Sequence, residues 1–458
     1  MAEPLLKLRA WSLVRDGPAG PVTLLRDVDF ELRRGEWVAL LGANGSGKTS
    51  LLRWLASELS PLRERAGLVF QDPDDSLIAA TTADELGLGR PGLDPGPALR
   101  QYGLEAVGGL DPRLLSAGEK QRLAFAAVEA AEPAVLLCDE PASLQDAATA
   151  DWLLERVVAW RARTGGAVVF ATQSRREAAR AERIVVLEGG RIAADGPRDA
   201  LLDSPAARRL LEPRLEAGAA PIAPAEPAAI GGVAATGATE PIAAWREVAC
   251  RFAETGRGFG GVDLELRPGD RIGLTGPSGA GKSTLLACAA GVRAPTAGRC
   301  WLQGRPLCAA RVPDLDHGAA LLAPQFPEYL FTRLTVADEV ALDPALAGPA
   351  VEAVLAAAGL PPECAGRNPH DLSSGERRRL AVVLVALSGR PLLMFDEPAV
   401  GLDAEGRARI GALLRGLPAG AAVVIAGHDI EFLRGCGCRI LALGPEGLTE
   451  PPGHGVPA

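Results

Sequence analysis

One short loop occurs twice in this chain, as Gly42-Ala-Asn-Gly-Ser-Gly-Lys48-Thr49 and as Gly276-Pro-Ser-Gly-Ala-Gly-Lys282-Ser283. Both copies fit G-x-x-x-x-G-K-[ST], in which backbone N–H groups cradle phosphates and the final hydroxyl binds Mg²⁺. Each follows an apolar run (Trp37 to Leu41; Arg271 to Thr275) and precedes a helix-like run (Leu51 to Leu55; Leu285 to Ala290). Composition sharpens the reading, because the chain has four lysines against forty-four arginines and two of the four stand in these loops. A compact ammonium reaches nucleotide phosphates where a planar guanidinium fills the space badly.

The rest of the chain repeats in the same order. Each half has a loop glutamine (Gln71; Gln325), an L-S-x-G-E string and an apolar strand ending in Asp-Glu-Pro. The offsets between equivalents are 254 for the glutamines and 257 for Ser116 to Ser373 and Glu140 to Glu397. A repeat this long means duplicated domains rather than a solenoid. Strands alternating with helical stretches imply α/β halves, each a parallel sheet covered by helices. The halves read as residues 1–215 and 242–446, joined by a flexible Ala/Pro-rich linker at 216–241 and followed by an irregular tail at 447–458. Lysine to loop glutamine spans 23 residues in the first half and 43 in the second, where Gly291 through Gly304 reads as a hairpin that the first half lacks.

Two further motifs carry chemistry. Val135 to Asp139-Glu140 and Leu392 to Asp396-Glu397 read as buried parallel strands delivering two carboxylates at their C-terminal ends. The first carboxylate is placed to hold Mg²⁺, and the second to orient or deprotonate the attacking water in phosphoryl transfer. Ser116 with Gly118, and Ser373 with Gly375, each open a long helical pattern. A serine cap there leaves N–H groups and the positive end of the dipole facing outward as an anion site.

Bulk properties exclude several classes. A net charge of −9 argues against a nucleic-acid surface, and the densest basic run, Arg377-Arg378-Arg379, reads as a solvated helix face. No stretch offers eighteen uninterrupted apolar residues, and MAEPLLKLRA has no signal-peptide pattern. The expectation is a cytosolic protein that reaches a membrane only through partners. The eight cysteines show no zinc-like pairing and read as reduced, buried, small apolar residues.

In this order the motifs resemble the ATP-binding-cassette ATPases, over nearly all the chain outside the linker and tail. The resemblance implies two tandem P-loop domains, each with a mostly parallel core sheet, an antiparallel β subdomain and a helical signature subdomain. It implies ATP and Mg²⁺ as ligands. Gly42, Asn44, Gly45, Gly47, Lys48, Thr49 and Ser50 then resemble one Walker A site, and Gly276, Ser278, Gly279, Gly281, Lys282, Ser283 and Thr284 the other. Gln71 and Gln325 resemble the Q-loop glutamine, and Asp146 and Asp403 the D-loop. Asp139-Glu140 and Asp396-Glu397 resemble Walker B with its catalytic glutamate, so that Thr49, Asp139, Ser283 and Asp396 would hold Mg²⁺ together with Gln71 and Gln325. The L-S-x-G-E strings resemble a signature loop whose usual form is LSGGQ. In that family each ATP is held by one domain's Walker A and the other domain's signature loop.

The two halves are not equivalent. All four histidines lie in the second half, where His428 resembles the switch histidine, while Gln173 stands at that place in the first. Phe252 resembles the aromatic that stacks on adenine, and Arg15 stands near the corresponding place. The expectation is one competent site, built on Lys282, Ser283, Gln325, Asp396, Glu397 and His428 with Ser116 and Gly118. The impaired site would use Lys48, Thr49, Gln71, Asp139, Glu140 and Gln173 with Ser373 and Gly375.

The segments Gln71-Asp-Pro-Asp-Asp-Ser-Leu-Ile and Gln325-Phe-Pro-Glu-Tyr-Leu-Phe, with the later Glu85 and Glu339, resemble energy-coupling-factor importers. That resemblance implies two partners, a membrane scaffold subunit and a separate substrate-capture membrane protein, and a place on the cytoplasmic face of the cell membrane. The cargo would be a vitamin or a transition-metal ion. Two rival readings are a sugar-type importer ATPase and a soluble tandem ATPase acting on ribosomes. The acidic chain and its Ala/Pro-rich linker argue against the second of these.

Overall fold

The computed structural model describes residues 4–17, 20–57, 60–62, 65–88, 90, 92–143, 147–211, 241–252, 257–307, 319–343, 346 and 350–450. Asp146, the expected linker up to residue 240 and the end of the expected tail from 451 onward lie outside the described residues. The chain divides into two compact units, Met1–Arg214 and Leu215–Ala458.

In the first unit all five residues of strand Trp37–Leu41 are buried. Trp37, Ala39 and Leu41 join one apolar cluster, and Val38 and Leu40 join another. Burial on both faces makes this an interior strand of a covered sheet. The sheet order is Ala66–Val69, Val135–Asp139, Ala167–Ala171, Trp37–Leu41, Arg183–Glu188, Arg191–Pro197. The first five strands are parallel, and Arg191–Pro197 runs antiparallel at the edge. Trp37–Leu41, the earliest of the six in the chain, lies between two late ones. The C-terminal ends of Trp37–Leu41, Val135–Asp139 and Ala167–Ala171 therefore open at a topological switch point, where α/β sheets bind ligands.

The second unit repeats that order with Ala320–Ala323, Leu392–Asp396, Ala422–Ala426, Arg271–Thr275, Arg439–Gly444 and Gly447–Thr449. The last strand corrects the sequence reading, which makes 447 onward an irregular tail. Gly447–Thr449 pairs antiparallel with Arg439–Gly444. Gly447 has φ 115°, and a Cβ there would lie 2.9 Å from the carbonyl oxygens of Gly260 and Gly261. Only glycine makes that turn, and Leu448 then packs on the core.

An antiparallel layer covers one face of each core sheet. In the first unit it has two strands, Pro4–Gly17 and Gly20–Arg33, whose Leu25, Val28, Phe30 and Leu32 pack on Val38, Leu40, Leu51 and Leu52. In the second it has four, in the order Gly258–Leu266, Ala243–Arg251, Ala297–Leu302, Arg305–Leu307. The additional hairpin accounts for the longer spacing between Lys282 and Gln325, although it starts at Ala297. Before it, the N–H groups of Val292 and Arg293 still close the preceding helix on Ala287 O. The opposite face carries other helices, including Ala117–Ala130 and Ser374–Leu387. The latter packs Leu380, Val383 and Leu384 against Phe331, Val336, Val340 and Val354. The seven cysteines among the described residues are free and buried. No helix among the described residues is long and apolar enough to cross a membrane.

Candidate functional site

Each phosphate loop leads from a core strand into a helix, Lys48–Leu55 or Lys282–Ala289. Gly47 and Gly281, the N-caps, have φ 105° and 96°, and Gly45 and Gly279 have φ 77° and 78°. A Cβ on Gly47 would meet Leu25 Cδ2 at 2.7 Å, and one on Gly281 would meet Phe259 Cδ1 at 2.5 Å. Left-handed residues at a helix N-terminus turn successive N–H groups toward one point, which is what an anion needs. Gly42 and Gly276 directly follow the core strands, and Ser50 and Thr284 follow Thr49 and Ser283 into the first helical turn. Both lysines are buried and lie back along their own loops. Lys48 Nζ donates to Gly42 O at 2.7 Å and Ala43 O at 3.2 Å, and Lys282 Nζ to Gly276 O at 2.9 Å and Pro277 O at 3.3 Å.

The carboxylates converge on these loops as their spacing implies. Thr49 Oγ1 donates to Asp139 Oδ1 at 3.1 Å, and Asp396 accepts from Ser283 in the same way. Burial pushes Asp139 up to about 6 against the Thr49 hydrogen bond, and burial raises Asp396 likewise. Asp396 Oδ1 is buried without a hydrogen-bond partner. A hydroxyl, a carboxylate and an unpartnered carboxylate oxygen beside a phosphate cradle form a hard-oxygen donor set that suits Mg²⁺.

Glu140 and Glu397 follow directly. Both adopt left-handed backbone, with φ 44° and 51°. Their N–H groups donate to Ala171 O at 3.1 Å and Ala426 O at 2.9 Å. For a side chain with a Cβ this conformation costs on the order of 1 kcal/mol, and its presence in both halves marks a constrained position. Burial pushes Glu397 up to about 7, with Lys282 pulling the other way.

The switch positions differ in what they hold. Gln173 Nε2 donates to Asn44 Oδ1 at 2.9 Å and to Glu140 Oε1 at 3.0 Å, and Lys48 Nζ lies 3.3 Å from that same carboxylate oxygen. In the second half Asn44 is replaced by Ser278. His428 Nε2 sits 3.2 Å from Lys282 Nζ and 3.3 Å from Glu397 Oε1. Glu397 Oε1 itself has no hydrogen-bond donor. The first glutamate is held by two side-chain donors, whereas the second takes a backbone N–H from His428 and faces the imidazole of that residue, which can accept from a lysine or donate to a carboxylate.

Arg15 and Phe252 can be matched through the backbone. Ala10 and Glu247 are both left-handed, with φ 44° and 51°, and both donate N–H to an aspartate, Asp29 or Asp263, at 3.0 Å. Five residues beyond each are Arg15 and Phe252, so these two occupy equivalent places. Arg15 is exposed, and Phe252 carries the Arg293 guanidinium 4.3 Å from its ring centre.

Ser116 and Ser373 cap their helices in matching capping boxes. Glu119 Oε2 accepts from Ser116 N at 3.0 Å, and Glu376 Oε2 from Ser373 N at 2.8 Å. The glutamate in place of the usual glutamine thus closes the box. Gly118 and Gly375 lie buried in the first turn. The basic run that reads as a solvated face is not one. Arg377, Arg378 and Arg379 donate to the carbonyls of His370, Glu397 and Ala358. Gln71 Nε2 donates to Ser143 Oγ at 3.2 Å, and Gln325 stands half-buried at the matching place.

The sequence profile of the family described as ABC transporter matches residues 25–143 and 259–400, more than half of the chain. The chain belongs to the ABC transporter family. An uncharacterised ABC transporter ATP-binding protein of Mycobacterium tuberculosis is 33% identical over 93% of this chain. This ABC chain spans 60% of that relative's length. The energy-coupling factor transporter ATP-binding protein EcfA1 of Geobacillus kaustophilus is 32% identical over 43% of this chain and 80% of its own. The archaeal ribosome recycling factor, solved in complex with a ribosomal stalk protein, aligns over 95% of this chain and 89% of its own with a TM-score of 0.59. At 18% identity that likeness is one of ABC fold alone.

Two residues with places at Glu140 and Glu397 of this ABC chain escape sequence reasoning. They are Ser143, which links Gln71 to Glu140, and Arg378, which reaches Glu397 O. Neither belongs to a motif, and their only signal is a mismatch between the halves, Ser143 against Val400 and Arg378 against Gln121.

Proposed function

We propose that this chain hydrolyses ATP to power a membrane importer of the energy-coupling-factor type, taking up a vitamin or a transition-metal ion, and that its halves hydrolyse unequally. The importer reading is carried by the segments after Gln71 and Gln325. In each, a buried glutamate ties down a loop from within. Glu85 Oε2 accepts from the N–H groups of Ile78 and Ala79 at 2.9 and 2.7 Å, and Glu339 Oε2 from those of Thr332 and Arg333 at 2.8 and 2.7 Å. The held loops leave Ile78 at 80% exposure and Tyr329 and Leu334 at 79%. Large apolar side chains on a fixed loop suit docking by helices of a membrane subunit. The likeness to an energy-coupling factor ATP-binding protein supports the same reading.

In the second half Lys282 and the loop N–H groups hold the β- and γ-phosphates. Thr49 with Asp139, and Ser283 with Asp396, would hold Mg²⁺, which would supply neutralisation of the phosphate charge. Glu397 orients the attacking water and accepts its proton, and His428 stands between that carboxylate and Lys282. In the first half Gln173 and Lys48 occupy Glu140 and slow the same step.

The test is recovery of the chain from membranes, identification of what co-purifies, and uptake of labelled vitamins and metal ions with and without Glu397→Gln. A small polytopic membrane protein in the complex and uptake lost with Glu397→Gln support the importer. Recovery with ribosomes, and no membrane subunit, overturns it.

A further inference from the structure

The carbonyl oxygen of the catalytic glutamate is held differently in the two halves. In the first, Ser143 Oγ donates to Glu140 O at 2.8 Å and itself accepts from Gln71 Nε2 at 3.2 Å. A short polar chain therefore runs from the loop glutamine to the strained peptide at Glu140. In the second half the residue matching Ser143 is Val400, which has no hydroxyl. Its N–H still reaches Glu397 O at 3.3 Å, as Ser143 N reaches Glu140 O at 3.0 Å, so the turns correspond. The side-chain donor there is Arg378, whose Nη1 lies 2.8 Å from Glu397 O. Arg378 sits in the second turn of Ser374–Leu387, the helix that Ser373 caps. The residue matching it in the first half, Gln121, points its amide to Phe70 O at 3.4 Å instead.

We propose that Arg378 is the positioning residue for Glu397, replacing the Gln71–Ser143 link of the first half and tying the catalytic glutamate to the signature helix rather than to the loop glutamine. The physical need is plain. Glu397 is held at φ 51°, and its peptide returns to an ordinary conformation unless neighbours over-determine it. A guanidinium on the carbonyl is a charge-assisted bond, stronger than the serine hydroxyl it replaces. Swivelling that peptide swings the carboxylate away from the attacking water without touching the nucleotide cradle. Movement of the signature helix is then felt at Glu397, whereas in the first half movement of the loop glutamine is felt at Glu140. The inference rests on Glu397 being the hydrolytic carboxylate.

The experiment measures steady-state ATPase of the full chain for Arg378→Gln, Arg378→Lys, Arg378→Gln with Val400→Ser, and Glu397→Gln as reference. Arg378→Gln is expected to lower kcat about tenfold, the loss of one charge-assisted hydrogen bond, with KM for ATP within about twofold. Arg378→Lys restores part of the rate. Val400→Ser, which transplants the first half's donor, recovers rate in the Arg378→Gln background, and a merely destabilised helix would not respond to it. An unchanged kcat in Arg378→Gln, or a loss that neither lysine nor the added serine relieves, overturns the proposal. If Glu397→Gln itself leaves turnover intact, the reading of the site fails instead, and the two failures are told apart in one assay.

Discussion

The two halves share a sheet order, a phosphate cradle and a strained glutamate, yet they place different side chains on that glutamate. Glu140 is surrounded by donors, with Gln173 Nε2 at 3.0 Å and Lys48 Nζ at 3.3 Å on one oxygen. Glu397 Oε1 has no hydrogen-bond donor, and a histidine nitrogen stands 3.3 Å away. A carboxylate whose lone pairs are already committed makes a poor acceptor for the proton of a water. The comparison teaches that two copies of one motif pattern can present the same carboxylate with different neighbours.

The sharpest way to break this comparison is to remove each glutamate in turn. Glu397→Gln is expected to reduce ATP turnover on the order of 10³-fold, and Glu140→Gln only a few-fold, since loss of one well-placed group in such a site is worth that much where it acts. Equal losses in a phosphate-release assay would dispose of the asymmetry.

Exchange of the switch residues probes the same difference at a smaller scale. His428→Gln is expected to cost on the order of 10² in kcat, the usual worth of a positioned acid–base group. Gln173→His should raise the residual turnover measured in a Glu397→Gln background, because it frees Glu140 from one donor. If the histidine adds nothing there, Lys48 rather than Gln173 is what restrains the first site.

Much of this arrangement is legible in the sequence because its parts are local. A glycine loop between a strand and a helix, a serine three residues before a glutamate, and Asp-Glu after an apolar strand each specify geometry over a handful of residues. What is not legible depends on contacts between distant segments of unremarkable residues. Ser143 and Arg378 become notable only when folding brings them to the carbonyls of Glu140 and Glu397. Arg377 to Arg379 mislead because a charge run gives no sign of the carbonyls within its reach. Gly447–Thr449 is missed because a three-residue strand carries no periodicity, and its pairing is set by Arg439–Gly444. The sequence places Arg15 only near the position of Phe252, and the left-handed residues Ala10 and Glu247, five residues before each, fix the equivalence.

That equivalence gives the next prediction. Phe252→Ala is expected to weaken ATP binding about tenfold through loss of base stacking while leaving tripolyphosphate binding unchanged. Arg15→Phe should tighten the first half's affinity for ATP by a smaller factor. Competition of both ligands against a fluorescent nucleotide separates base from phosphate contributions. Parallel losses for ATP and tripolyphosphate would mean that Phe252 supports the cradle and not the base.

The last expected effect is on stability rather than on binding or turnover, and its sign differs between the halves. Burial raises Glu397 from an ordinary value of 4.5 to about 7, so between those pH values the native state binds more protons than the unfolded one. Stability of the nucleotide-free protein then falls as pH rises across that window, by at most about 3 kcal/mol for this group. Glu397→Gln removes the ionisation, so it should raise the urea midpoint above pH 7, with the gain shrinking toward zero as pH approaches 4.5. Glu140→Gln acts the other way, because it breaks a buried pair with Lys48 and leaves that ammonium with Asp139 and the loop carbonyls alone. Opposite shifts in midpoint at pH 7.5 would mean that one half stores unfavourable charge at its glutamate while the other neutralises it. Midpoints that moved together would mean that both carboxylates sit in the same electrostatic state, and the difference in hydrolysis would then have to come from the histidine alone.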